Sequence, residues 1–465
     1  MFRKIQKRLL ENYPVLWNTK FVPMGITVLI FNIFFFINGF FSGSVNFHDT
    51  DYHYNVTTVF YLISALASLL ILIIWLLFYF KNNGLKSFYP KKSNALYIEW
   101  LLTFILLIGN QLYPYSYSQG IQLKEKTYAS KKQTYDAKKI LNKIQILLPD
   151  SYYYYQSTPI KNTIDSLEND PDSTPMNLSL LNFNTYYFDQ NKVEVEQVKN
   201  WLITEQKDSI RNLIRKYLNL QKKHNLSSNL TVNSWMKLVY NPPNYFVPQS
   251  NYISKTKTYY DDNIKHYVEF QNLDFAYQKI YDAYNNGNFS NKFILVILYI
   301  ALNLSILLFS YRTTSGKAWL IALVVLGLLT FVNGIFSVVF QLFFIDNHFS
   351  HIICLINIYW SFVFLFMCVY ILIKLYKKHA KNNSAIMINL ILWMLPNMPI
   401  LYFISFMLSM NESIYGEDQN TYISSMYHYF YDHFTVFFWI NLIFVIIILF
   451  FIAKIIKKWR ALPEE

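Results

Sequence analysis

Six histidines of this chain sit beside carboxylates in three short segments that separate long apolar runs. The segments are His48-Asp49-Thr50-Asp51-Tyr52-His53, Asp346-Asn347-His348-Phe349-Ser350-His351, and Asp432-His433 with His428 nearby. If the segments meet at one membrane face, His53 with Asp51, His348 with Asp346, and His433 with Asp432 could hold a divalent metal, because imidazole and carboxylate suit zinc. The same residues could form a pH-responsive patch. The spacing matches no metalloenzyme signature, and His-Glu-x-x-His does not occur. The plainer reading is interfacial: these groups cap helix ends and join an aromatic belt with Tyr52, Tyr54, Tyr427, Tyr429 and Tyr431. Beyond that candidate metal no cofactor is expected, and no catalytic signature marks the chain as an enzyme.

A second constellation is Leu395-Pro396-Asn397-Met398-Pro399, inside an apolar run. Pro396 and Pro399 remove two backbone donors and crowd the preceding turn, so the helix must kink or break there. Discontinuous helices can line substrate sites, which makes Pro396, Asn397 and Pro399 a candidate hinge; a proline pair also bends helices merely so that they pack. Amides are scattered through the apolar runs, among them Asn32, Asn110, Asn303, Asn333, Asn389 and Asn441. In hydrocarbon their usual role is to join helices by hydrogen bonds. Ser315-Gly316-Lys317 is not a phosphate-binding loop: the required earlier glycine is Tyr311, and no strand precedes it.

The elements that must position these residues are membrane helices. The chain is 54% hydrophobic and only 15% charged, against roughly 25% charged in a soluble domain. A transmembrane helix needs ~20 mostly apolar residues. Eight such runs are expected, at about 21–43, 57–80, 96–114, 293–310, 318–344, 351–374, 385–410 and 434–453. The predicted fold is thus an all-α polytopic membrane protein with eight transmembrane helices. The run after Lys20 has no small-x-small site behind it and reads as an uncleaved signal anchor.

Charge orients the runs. Outside residues 115–292, the basic residues lie in five short segments: Arg3 to Lys20, Lys81 to Lys92, Arg312 and Lys317, Lys374 to Lys381, and Lys454 to Arg460. The opposite loops carry acids and no Lys or Arg. Cytoplasmic loops retain Lys and Arg, so both termini are expected inside. The organisation follows: a cytoplasmic amphipathic segment at 1–20, helices 1–3 within 21–114, an extracytoplasmic domain at 115–292, helices 4–8 within 293–453, and a cytoplasmic tail at 454–465. The expected location is a bacterial inner membrane. The net charge of +13 is spent on orientation and anionic lipid, and no nucleic-acid-reading motif accompanies it. Cys354 and Cys368 share one apolar run, so the outer domain has no disulfide framework.

Residues 115–292 read as mainly helical, with Val198, Leu202, Ile210, Leu213, Tyr217 and Leu220 near a 3.6-residue period. An internal duplication is a further expectation. Phe36-Ile37-Asn38-Gly39-Phe40-Phe41-Ser42 resembles Phe331-Val332-Asn333-Gly334-Ile335-Phe336-Ser337, and the same offset pairs Asp51 with Asp346 and His53 with His348. Asn38, Gly39, Asn333 and Gly334 would then mark two parallel four-helix repeats.

Function enters as three readings. The first is a transport component, the permease-like subunit of an exporter energised by a separate cytoplasmic ATPase, since every inner loop is too short for a nucleotide-binding domain. Its layout resembles that of permeases in ATP-driven export systems in topology alone. The second is a receptor or scaffold that takes an extracellular or periplasmic ligand on residues 115–292. The third is a membrane enzyme that uses the outer His/Asp loops.

Overall fold

The structure is a computed structural model that describes Lys7, Glu11 and residues 20–48, 54–81, 95–148, 192–240, 253–254, 266–285, 291–343, 349–376, 383–415 and 421–459. Of these, 88% are helical. The exception to all-α is small: β1 (Ile253–Ser254) pairs in parallel with β2 (His266–Tyr267), and Ser228 bridges Val268. The chain divides into two compact units, one of Met1–Phe36, Phe60–Tyr117 and Phe289–Glu465, the other of Ile37–Val59 and Ser118–Asn288.

The first unit holds the apolar helices. They are α1 (Phe21–Ser42), α2 (Tyr54–Lys81), α3 (Ala95–Gln111), the first part of α4 (Tyr113–Glu125), α10 (Asn291–Thr313), α11 (Gly316–Phe343), α12 (Phe349–Tyr376), α13 (Asn383–Met394), α14 (Met398–Tyr415), α15 (Thr421–Asp432) and α16 (Phe434–Trp459). Six stretches are long and apolar enough to cross a membrane, in α1, α2, α10, α11, α13–α14 and α16. The chain is therefore a multi-pass integral membrane protein. Sequence spacing predicts eight spans, and the structure accounts for six, or seven with one bent pair. The expected third span is where they part. Helix α3 is 17 residues, about 25 Å at 1.5 Å per residue, short of a ~30 Å hydrocarbon core. The chain then turns by 52° into α4. Pro114 stands at the start of α4, where its missing N–H leaves nothing unpaired. In the expected sixth span, α12 contributes the shorter apolar stretch Ile356–Met367.

Burial sorts these helices. In α10, 56% of the apolar window is buried, and in α13–α14, 50%; in α1 and α2 the share is 17%, and in α11 it is 6%. Helix α10 packs on α3, α11, α13 and α16, and is the centre of the unit. Around it lie Trp100, Phe104, Leu107, Trp393 and Val445. Trp100 stacks on Phe104 at 5.7 Å. The outward faces expose Leu29, Leu70, Leu328, Phe331 and many like them, as a surface wetted by lipid does.

The second unit is built as a water-soluble fold is. Its helices are the rest of α4, α5 (Lys131–Ile144), α6 (Lys192–Ile203), α7 (Lys207–Lys223), α8 (Val232–Tyr240) and α9 (Gln271–Asn285). Ser130 and Gln133 close a capping box at the start of α5, which satisfies two donors that no earlier turn could meet. Helix α7 buries Ile210, Leu213, Ile214, Tyr217 and Gln221 on one face, the 3.6-residue stripe that a helix lays on a core. Trp235, Tyr217, Leu273 and Ile280 fill that core. Val45 and Phe47, from the segment after α1, also belong to it. Gly43 admits this segment: a Cβ there would stand 2.8 Å from Lys124 Cβ and 2.9 Å from the Ile121 carbonyl oxygen.

Candidate functional site

Helix α10 carries a row of polar side chains through the middle of the membrane unit, and almost every one is bonded to a different neighbour. Ser305 Oγ accepts from Trp100 Nε1 at 3.0 Å, and Ser310 Oγ accepts from Trp393 Nε1 at 2.8 Å. Tyr299 donates its hydroxyl to the Phe438 carbonyl at 2.9 Å and accepts from Asn441 Nδ2 at 2.9 Å. In hydrocarbon no water competes for these groups, so each bond fixes a helix pair.

Two clusters stand out along this row. The first surrounds the proline break. The helix stops at Met394 and resumes at Met398, with Leu395-Pro396-Asn397 between. The expected break is present. What holds it comes from elsewhere in the chain. Asn303 of α10 and Asn397 exchange amide bonds: Asn397 Nδ2 donates to Asn303 Oδ1 at 2.8 Å, and Asn303 Nδ2 donates to Asn397 Oδ1 at 3.3 Å. Each amide also donates to the carbonyl four residues before it, Asn303 to Tyr299 within α10 and Asn397 to Trp393 at the end of α13. Asn441 of α16 donates to the Pro396 carbonyl at 3.0 Å. Pro396 is buried, while Asn397 is exposed.

The second cluster lies at the far end of α10. Arg312 Nη1 makes an ion pair with Glu99 of α3 and donates to the Tyr79 hydroxyl at 3.2 Å. The guanidinium also lies 5.8 Å from the centre of the Tyr79 ring. Glu99 and Arg312 are both over 90% buried. Next to them, Thr314 donates to Asn389 Oδ1 at 3.1 Å, and Asn389 Nδ2 has no hydrogen-bond partner. The sequence places Arg312 in a short basic segment beside an apolar run, and the structure turns its side chain inward onto Glu99. The signal was present in the sequence: Glu99 is a carboxylate inside an apolar run, and such a group needs a cation brought to it.

The remaining amides act as joints. Asn32 donates to the Gly109 carbonyl at 2.9 Å and accepts from Ser116 Oγ at 2.6 Å, linking α1 to α3 and α4. Asn110 donates to the Ser68 carbonyl at 2.8 Å.

The His/Asp residues are reached only in part. Asp51, His53, Asp346 and His348 lie outside the described residues. Asp432 and His433 are exposed, and His433 Nδ1 lies 2.8 Å from the Tyr429 carbonyl, its ring stacked on Tyr429. Among the described residues no group of three or more His, Cys, Asp or Glu could hold a metal ion. In the suggested duplication the two glycines differ in setting. Gly39 is buried, whereas Gly334 is exposed and nothing lies within 4 Å of where its Cβ would be. Most of the amphipathic segment 1–20 and part of the tail 454–465 lie outside the described residues.

The second unit has one histidine in a close setting. His224 stacks on Phe47 at 3.9 Å, and its Nε2 lies 2.9 Å from the Tyr277 hydroxyl. Burial, with help from Lys223 and His48, pushes the imidazole down to about 4.

Comparison with known protein families, curated proteins and solved structures returns no match for the chain.

Proposed function

We propose that the chain is an integral membrane transport component, the permease-like subunit of an exporter energised by a separate ATPase. The observation that carries this reading is the break at Leu395-Pro396-Asn397, held by amides from α10 and α16. Non-helical backbone at membrane depth is tolerated where protein or a water-lined cavity satisfies it, and broken helices of this kind build the substrate sites of transporters. The exposed Asn397 and the Asn303 amide offer a polar substrate hydrogen-bond groups beside the break. The buried Arg312–Glu99 pair adds the polar investment that intramembrane sites carry.

The topology that fits this reading has eight spans with both termini in the cytoplasm and residues 115–292 outside. In it, α12 crosses as the sixth span and the bent pair α3–α4 as the third. The charge pattern along the chain supports that orientation. On the cytoplasmic side the turn between α10 and α11 is two residues long, Thr314-Ser315. In this reading, ATP-derived energy is supplied by another chain.

The test is purification of the tagged full chain in mild detergent, with identification of what accompanies it and assay of ATP hydrolysis. A co-purifying nucleotide-binding subunit, whose hydrolysis falls when Asn397→Leu or Pro396→Ala is introduced, supports the reading. Folded protein without such a subunit overturns it. A second reading, a receptor or scaffold for an external ligand, draws on the compact unit with its own core. Ligand-dependent protection of 118–288 from hydrogen exchange, with no ATPase present, would favour it.

A further inference from the structure

A half-open cleft of about 160 Å³ lies among α2, α10 and α11. Its wall includes Leu72, Leu76 and Phe80 of α2, Leu304 and Leu308 of α10, and Trp319 of α11, and it presents no polar surface. None of these side chains serves the polar row of α10. An apolar cavity of ~150 Å³ stays dry and takes up a hydrocarbon fragment. This cleft is therefore suited to part of an alkyl chain and not to water or a polar solute.

One end of the cleft is marked by three aromatic rings. Phe80 meets Tyr311 edge-on at 4.7 Å, and Tyr311 meets Trp319 edge-on at 5.6 Å. Phe80 and Trp319 share both the cleft and Tyr311, so the last turn of α2 and the first turn of α11 lie at the same end. Each of those turns carries an exposed cation, Lys81 on α2 and Lys317 on α11. The carboxylate of Glu99 does not offset them, since it is buried on Arg312. Along the helix axis the surface thus runs from apolar slot to aromatic collar to cations. A phospholipid presents the same order: acyl chain, ester and glycerol region, phosphate. Tyr and Trp sit at headgroup level, and Lys near the surface attracts anionic lipid.

We propose that this cleft is a binding site for an anionic diacyl phospholipid, with one acyl chain between α2, α10 and α11 and the phosphate on Lys81 and Lys317. A soluble anion would leave the slot unused, and an uncharged lipid would leave the lysines unused. The site is independent of the transport reading; it requires only that these helices lie in a bilayer.

Native mass spectrometry of the delipidated full chain tests it, with dioleoyl phosphatidylglycerol and dioleoyl phosphatidylcholine as probes. Phosphatidylglycerol should be retained preferentially. The double variant Lys81→Gln/Lys317→Gln, which alters only exposed side chains, should lower that preference on the order of tenfold. Leu76→Phe, which narrows the slot, should lower retention of both lipids. Equal retention of the two lipids by the natural chain overturns the proposal. So does a preference that survives the double lysine variant, or retention that Leu76→Phe leaves unchanged, because the lipid would then be bound elsewhere.

Discussion

Helices α10 and α11 are neighbours in sequence and nearly equal in apolarity, with mean hydropathies of 2.6 and 2.4, yet 56% of one apolar window is buried and 6% of the other. Hydropathy reports that a helix enters a membrane and says nothing of where it stands within it. The polar residues make the distinction. On α10, Tyr299, Asn303, Ser305, Ser310 and Arg312 all bond to other helices or to the break. On α11, Thr330 and Ser337 bond to their own backbone, at Leu326 and Gly327 and at Asn333. In a solvent without water, a polar side chain bonds back to its own helix, as Ser305 and Ser310 do, and adds a neighbour where one is in reach. The added neighbour records which face looks inward.

Arg312→Leu should break this contrast most severely. Glu99 would be left buried without its cation, at a cost of about 3–5 kcal/mol. The unfolding midpoint of the purified protein in detergent should fall sharply, and Glu99→Leu/Arg312→Leu should recover most of the loss. A single variant that melts with the natural chain would show that the pair does not hold α3 to α10.

Acid sharpens the comparison from outside the membrane unit. His224 has a folded-state pKa of about 4, below the ordinary value of about 6.5. The unfolded chain therefore binds a proton over that interval and the folded chain does not. Stability contributed by neutral His224 is complete above pH 6.5 and declines as the pH falls from there towards 4. His224→Gln should flatten that part of the stability profile and leave the Arg312 effect unchanged. An identical acid slope in the variant would assign the sensitivity to another group.

Asn441→Leu removes the donor to the Pro396 carbonyl and to the Tyr299 hydroxyl. Interhelical hydrogen bonds in membranes average ~0.6 kcal/mol and reach about 1.7. A loss of about 1 kcal/mol is expected, read as a smaller shift of the same midpoint. Ser337→Ala on α11 should be smallest, within about 0.5 kcal/mol of the natural chain. If it costs as much as Asn441→Leu, the division between inward and self-bonded polar groups fails.

Much of this was legible beforehand, and the rest was not for identifiable reasons. Apolar length marks most of the spans, and Pro396 with Pro399 marks the break, because both are local properties of the chain. Asn303 and Asn441 lie 94 and 142 residues, respectively, from Asn397 and Tyr299, the partners that give them meaning, and no pattern of spacing joins them. A cation at the end of an apolar run ordinarily turns to the interface; that Arg312 instead pairs with Glu99, far away in sequence, shows in three dimensions. The membership of Val45 and Phe47 in the second core was hidden for the same reason: a short segment between apolar runs reads as a mere loop until its partners, His224 and Tyr277, are seen.

The exchange of bonds between Asn303 and Asn397 has a mechanical side. Each amide is also tied to the carbonyl four residues before it, at Tyr299 and Trp393, so neither can rotate to follow a retreating partner without losing a second bond. One turn along α10 in either direction, Asn397 would face Tyr299 or Leu307, neither of which can return both bonds. Displacement of the broken helix along α10 would therefore break both interhelical bonds together and leave each amide only its bond to Tyr299 or Trp393.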